Sequence, residues 1–476
     1  MADSKPSSTF AFASPIRRLV CALSAWACIG WAAPDGAKQH LITAKKLDTL
    51  FAATNFEATG ALWSVAVGNV NNGSMIYHFA PNRPMIPASN QKLVTAAAAL
   101  IGHGPKYRSH TEFYATGPIE NGHLRGDLLV VGHGANHFSA RYPRELSPQE
   151  KNRRLNKQLD QLVGALRVNG IHVIDGKILA DASEWTNMPS NAHYPSAWAF
   201  SYNENTLDVS VDGNGLIQYV PAAFSGFRVS LGTFAKAQRR RLKVIYINPS
   251  QASDDYWRLD GVSTTDYYID HLLRGFGSRQ LLVARRTTIP SQRTLLFRVA
   301  SLPLESLIFD MNTHSDNQRA ETIFLNLGYE RHGIANYDTG RRAVQELLAE
   351  TGLDVSAIHA ADGSGLSREN RVNARTIIGI FHLISRSPFA DAFNRSLAIA
   401  GNSGTLRHRF VQSPLKNNLR AKTGTLDGVA ALSGYLTTIN GNLISFSFLA
   451  NQVRNASKAK KTMEHAAELL YDLDLR

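Results

Sequence analysis

The sequence predicts an α/β protein in which an antiparallel sheet flanked by helices is assembled from both ends of the chain. A large α+β, β-rich region is inserted between the two halves. Three observations predict this. Two strong hairpin signals lie near opposite ends of the 476 residues. A strongly apolar helical run follows the first hairpin. The stretch from about 105 to 294 reads as short strands and turns with one clear helical patch. With 44% hydrophobic residues the chain can bury a large core and holds more than one domain.

Taken in order, the N-terminus reads as a secretory signal. Arg17-Arg18 precede an apolar run from Leu19 to Trp31, and the small residues Ala32-Ala33 follow. Cleavage is expected after Ala32 by the general secretory route. The apolar run is too short for a membrane span. Cys21 and Cys28 both fall inside it, so the mature chain is expected to carry no cysteine and no disulfide. Losing residues 1–32 removes three cations and one anion and lowers the net charge from +13 to about +11.

The first hairpin is expected from Trp63 to Val70 and from Ser74 to Phe79, around Asn71-Asn72-Gly73. Pro84-Met85-Ile86-Pro87 then favours extended backbone. Leu93 to Ile101 is apolar on nearly every side and predicts a buried helix. The inserted region carries its helical patch at Glu150–Val168. Near the C-terminus, Gly428–Leu436 and Leu443–Leu449 flank Asn440-Gly441, a strong hairpin signal. A last helix is expected over Ser457–Leu473. The division is thus 1–32 signal peptide, 33–104 first part of the catalytic domain, 105–294 insert, and 295–476 second part of the catalytic domain.

Three short elements carry chemistry: Ser89-Asn90-Gln91-Lys92, Ser315-Asp316-Asn317 and Lys422-Thr423-Gly424. Ser89 falls at the first turn of the apolar helix, where free N–H groups favour developing negative charge. Lys92 lies three residues on, within reach of the Ser89 hydroxyl. A neutral lysine can take the serine proton, and burial beside a second cation such as Lys422 favours that neutral state. Read alone, each element has an ordinary alternative. Ser89 can be an N-cap, Ser315-Asp316-Asn317-Gln318 a capping box, and Lys422 a surface lysine at a strand start. S-x-x-K recurs at Ser413–Lys416 and Ser457–Lys460, and S-x-N at Ser201-Tyr202-Asn203, so context chooses the working copies. Pro414 spoils the first decoy, and the second opens a cationic surface helix.

The three elements in this order form the signature of penicillin-binding proteins and class A β-lactamases. The chain resembles the penicillin-binding proteins of the S13 peptidase family, of the D-alanyl-D-alanine carboxypeptidase/endopeptidase type. Asp362-Gly363-Ser364-Gly365-Leu366-Ser367-Arg368 resembles a further family block. So do Gly404-Thr405-Leu406 with Arg409-Phe410, Asn121 to Leu128, and Pro303-Leu304 leading to Met311. The 223 residues separating Lys92 from Ser315 match the insertion this family carries. Two departures lie in the insert: Gly132-His133-Gly134-Ala135-Asn136-His137 replaces a Gly-x-Gly-Asp-Pro stretch, and Arg228 to Gln292 aligns poorly.

The resemblance implies a β-lactamase/transpeptidase-like catalytic domain and an acyl-enzyme mechanism. Ser89 is then the nucleophile and Lys92 its base. Ser315 with Lys422 relays a proton, and Asn317 positions the peptide. Lys422 and Thr423 attract the terminal carboxylate, and Gly424 lets the substrate backbone approach. The N–H of Thr425 joins that of Ser89 as oxyanion donor. Arg368 and Asp181 are the positions matching residues that recognise the diaminopimelate part of the stem peptide. Peptidoglycan stem peptides are the expected substrates and β-lactams the expected covalent inhibitors. No metal or cofactor is expected; Gly134 argues against His133 and His137 forming a helical zinc pair. Nucleic acid is not expected as a partner: Arg239-Arg240-Arg241 and Arg285-Arg286 read first as a solvated basic face, and an exported protein meets anionic cell-wall or outer-membrane polymers more readily than nucleic acid. The expected location is the periplasm, with at most peripheral membrane contact. The alternatives are a β-lactamase or esterase of the same fold, and a non-catalytic cell-wall binding scaffold.

Overall fold

The computed structural model describes residues 35–53, 61–140, 146–186, 199–203, 206–211, 217–221, 228–231, 244–247, 255–258 and 292–475. The signal segment 1–32 and both insert arginine clusters lie outside them.

A six-stranded sheet joins the two ends of the chain. Its spatial order is Ala398–Ile399, Arg420–Leu426, Val429–Thr437, Leu443–Asn451, Leu62–Asn69 and Met75–Phe79, every neighbouring pair antiparallel. Both hairpins form within two residues of the expected bounds, and Gly73 and Gly441 supply the positive φ their turns need. The junction between the ends is long, from Leu62 opposite Asn451 to Asn69 opposite Ile444.

Side chains alternate across this sheet, and both faces are covered. Trp63, Val65, Val67, Leu432, Phe446 and Phe448 face one core with Phe51 of the helix Asp35–Ala53 and with Met463, Ala467 and Leu470 of the helix Ala456–Tyr471. Ala66, Ala431, Tyr435 and Leu449 face the other. That second core includes the helix Gln91–His103, buried from Gln91 to Leu100 as its apolar sequence requires, with the helices Leu304–Thr313, Asn317–His332 and Ala374–Ser385. Each fully buried Leu, Val or Phe contributes about 1.5–3 kcal/mol. This core therefore holds the start of the serine helix against the sheet.

The inserted region has its own four-stranded sheet, ordered Thr294–Ala300, His110–Ala115, Leu128–Gly132 and Ile178–Asp181, so it takes in a strand beyond the expected boundary at 294 because the returning chain pairs with the outgoing one. Its helix spans Pro148–Val168, capped by Ser147 accepting the Glu150 N–H at 3.2 Å. Thr294–Ala300 pairs antiparallel with His110–Ala115, so the outgoing and returning chains run side by side.

Candidate active site

The Ser89 turn is built by local strain and close packing. Pro87 precedes a 3-10 turn, Ala88–Asn90, that leads into the helix Gln91–His103. Ala88 sits at φ +47, in the left-handed region that costs a side-chain-bearing residue about 1–3 kcal/mol. The surroundings enforce it. Gly365, at φ +87, lies so close that a Cβ there would stand 1.8 Å from the Ala88 carbonyl oxygen. A Cβ on Gly424 would stand 2.9 Å from the Pro87 oxygen and 3.2 Å from the Ala88 Cβ. Gly424 therefore admits the serine turn itself, beyond the room for a substrate backbone that the sequence suggests.

Lys92 is fully buried. Its Nζ donates to Asn317 Oδ1 at 2.7 Å and to the Ser364 carbonyl at 2.7 Å, and it lies 3.1 Å from Ser89 Oγ. The two short bonds are donor bonds that survive loss of one proton. In the neutral amine the third direction holds the lone pair, aimed at the serine hydroxyl. One geometry thus suits both protonation states of the amine. Ser89 is not an N-cap: its oxygen is engaged with Lys92, and Asn90, the residue at the cap position, makes no side-chain cap bond.

Ser315 also departs from the capping-box expectation. It sits at φ +60, outside the extended conformation a cap requires, and Asp316 (φ −68, ψ 119) caps the helix Asn317–His332 by accepting the Arg319 N–H at 3.0 Å. Freed from capping, the Ser315 hydroxyl accepts from Lys422 Nζ at 2.9 Å. Lys422 is completely buried on the strand Arg420–Leu426 and also donates to the Thr423 carbonyl at 2.8 Å. Burial, and then the charge of Lys92, hold its pKa well below the usual lysine range. The Thr423 hydroxyl lies 2.8 Å from that of Thr405.

Ser89, Lys92, Ser315, Asn317, Lys422 and Thr423 thus meet from three segments far apart in sequence. Thr425 lies on the same strand, exposed and opposite Ala430. Strand pairing on the other side of Arg420–Leu426 involves Arg420 and Ala421. Among the described residues, no strand pairs with that edge from Lys422 to Leu426.

Arg368 and Asp181 are placed differently. Arg368 is exposed and donates to the Asp427 carbonyl at 2.9 Å, on the turn that follows the Lys422 strand. Asp181 ends an insert strand and is buried, its carboxylate accepting the Ser183 N–H at 2.9 Å. Among the described residues it has no hydrogen bond to the serine cluster. His133 makes ion pairs with Glu112 at 3.3 Å and Glu184 at 3.2 Å, in the insert.

Sequence reasoning missed three contributors. Ser364 offers the carbonyl that receives Lys92, and Thr405 offers a hydroxyl to Thr423; both lie in blocks noticed only as resemblance. Glu321, fully buried, accepts the Gly363 and Ser364 N–H groups at 3.2 and 3.0 Å. A signal existed for it, because a charged residue four positions after Asn317 in an apolar helical run shares the Asn317 face.

Comparisons with known proteins show the family and the fold. D-alanyl-D-alanine carboxypeptidase DacB of Haemophilus influenzae is 26% identical over 434 residues, covering 83% of this chain and 86% of the relative. A D-alanyl-D-alanine carboxypeptidase of Actinomadura is 26% identical over 442 residues, covering 82% and 78%. The crystal structure of penicillin binding protein 4 (dacB) from Haemophilus influenzae superposes with a TM-score of 0.73 at 22% identity, over 90% of this chain and 99% of that one, and shows the same fold. The profile of the D-Ala-D-Ala carboxypeptidase 3 (S13) family matches residues 43–254 and 273–472, and with the serine, lysine and amide in place the chain belongs to that family.

Proposed function

We propose that the protein is a serine-type D-alanyl-D-alanine carboxypeptidase that acts on peptidoglycan stem peptides through an acyl-enzyme, with endopeptidase cleavage of cross-links as a second activity. One observation carries the reading: Lys92 Nζ is held by two short donor bonds with its third direction on Ser89 Oγ, while Lys422 and Ser315 form a second hydroxyl–lysine pair.

Neutral Lys92 takes the proton of Ser89 as its oxygen bonds to the carbonyl carbon of the penultimate D-alanine. The N–H groups of Ser89 and Thr425 receive the oxyanion. Collapse breaks the C–N bond, and Ser315 protonates the departing amine of D-alanine, recovering its proton through Lys422 from Lys92, which is thereby neutral again for the second half-reaction. Lys422 and Thr423 bind the terminal carboxylate, a role suited to a cation and a hydroxyl at an unpaired strand edge. Water, deprotonated by Lys92, then releases the shortened peptide. Asn317 fixes Lys92 and contacts the peptide. Arg368, whose planar fork suits a carboxylate, and Asp181 are the positions assigned to the diaminopimelate end.

A β-lactam presents a strained amide to the same serine and is expected to acylate it. The Haemophilus protein has been crystallised complexed with a β-lactam. Export by the segment 1–32 would place the enzyme in the periplasm. Among the described residues no helix is long and apolar enough to cross a membrane.

The test is intact-mass spectrometry of the protein with benzylpenicillin beside Ser89→Ala, with D-alanine release from a stem pentapeptide measured in parallel. A single stable adduct and D-alanine release, both lost in the variant, are expected. Penicillin consumed without an adduct points to a β-lactamase. No adduct, with penicillin intact and muropeptide still bound, points to a scaffold.

A further inference from the structure

Lys92 stands on a pair of buried carboxyl groups that the reaction above does not use. Glu321 and Asp362 are both fully buried, as are Lys92 and Lys422. Glu321 lies one turn beyond Asn317, so a single helix face supplies the amide that receives Lys92 and the carboxylate beneath it. Its two oxygens accept the N–H groups of Gly363 and Ser364. Asp362 Oδ1 accepts the Gly365 N–H at 2.7 Å, and that N–H belongs to the peptide whose carbonyl, on Ser364, receives Lys92 Nζ. A carboxylate at one end of a peptide dipole and an ammonium at the other polarise it in the same sense. Thr95 secures the loop from the serine helix, donating to the Gly363 carbonyl at 2.8 Å. A Cβ on Gly363 would stand 2.3 Å from the Ala320 oxygen, so the loop lies directly on the Glu321 helix.

We infer that Glu321 is a positioning residue: it seats the Gly363–Gly365 loop under Lys92 and, together with Asp362, governs how readily Lys92 gives up its proton. The inference rests on the acyl-transfer reading above. Of the charged groups around Lys92, Glu321 from the Asn317 helix and Lys422 from the strand interact with its charge, and Asp362 from the loop acts through the Gly365 peptide. Arg319, on the same helix, turns instead to Asp310. Burial, and then the Asp362 charge, push the Glu321 carboxyl up to about 8. Its ionisation therefore falls within the working range of an acyl-transfer base. An anionic Glu321 favours the Lys92 ammonium and opposes formation of the free base.

The experiment measures the second-order rate constant for acylation by benzylpenicillin, from pH 5 to 10, in the wild type, Glu321→Gln, Asp362→Asn and Thr95→Val. Removing the Asp362 anion is expected to move the acid limb to lower pH by roughly half a unit, about threefold in proton activity. Glu321→Gln is expected to do so for the part of the limb above about pH 8, where Glu321 is ionised. Thr95→Val loosens the same loop without changing charge and is expected to lower the rate and leave the limb in place. A wild type that forms no adduct would sink the acyl-transfer reading itself. A wild type that acylates while both charge variants keep its limb would overturn the inference alone. So would failure of both charge variants to fold, since Glu321 would then be structural.

Discussion

Lys422 shows what function costs at the scale of one residue. A lysine buried with a depressed pKa resists its own charge, so the folded protein bears a penalty that grows as pH falls below the ordinary lysine value. Lys422→Met is expected to abolish penicillin acylation, read by intact mass, while the melting temperature stays level or rises. Glu321 has the opposite sign of shift. Between about 4.5 and about 8 the unfolded chain has released this proton and the folded chain keeps it, so stability is lost as pH rises through that window. Melting curves are expected to show Glu321→Gln losing less stability than the wild type between pH 5 and pH 8. A parallel decline in the two proteins would refute the assignment.

Among the elements, the serine turn is positioned by what fails to fit around it. Gly424→Ala would bring a methyl group to 2.9 Å from the Pro87 oxygen and 3.0 Å from the Ala431 Cβ. Overpacking of that kind typically costs about 1–3 kcal/mol. The expected outcome is a lowered melting temperature together with slower acylation, because the displaced atoms carry Ser89. The start of the Asn317 helix depends on Asp316. Asp316→Ala is expected to cost about 1 kcal/mol by denaturant titration and to slow acylation as Asn317 loses its fixed place. Both helices enter the site through left-handed residues, Ala88 and Ser315, which aim a hydroxyl where regular helix geometry would not.

At the scale of the whole molecule, the insert meets the catalytic helices through charge as well as apolar packing. His133 stacks on Tyr329 of the Asn317 helix with ring centroids 5.1 Å apart, and lies between Glu112 and Glu184. Burial opposes its charge, but Glu184 and then Glu112 outweigh burial and raise its pKa. The stabilisation is therefore complete below the unfolded histidine value and lost as pH rises through the folded one. His133→Gln is expected to melt below the wild type at pH 6, with the gap closing by pH 9; a gap that widened with pH would refute this.

The sequence by itself determined that hairpins from both chain ends share one sheet, the buried serine helix and the order of the three motifs. Each rests on local physics: hairpin turns on Asn-Gly and Asn-Asn-Gly, alternation along strands, and an apolar run with a helix-breaking prelude. It also named five of the groups that meet at the site, Ser89, Lys92, Ser315, Asn317 and Lys422. Tertiary structure alone decided how they meet. The Ser315 cap gave way to Asp316 because the left-handed backbone of Ser315 itself, invisible in composition, turns its hydroxyl to Lys422. Gly424 serves the protein's own packing because the Pro87 turn lies over that strand. Glu321, Ser364 and Thr405 entered through hydrogen bonds between segments 18 to 272 residues apart. Local propensity reports on neighbours along the chain, whereas a buried base is defined by the distant carbonyls and carboxylates that replace water around it.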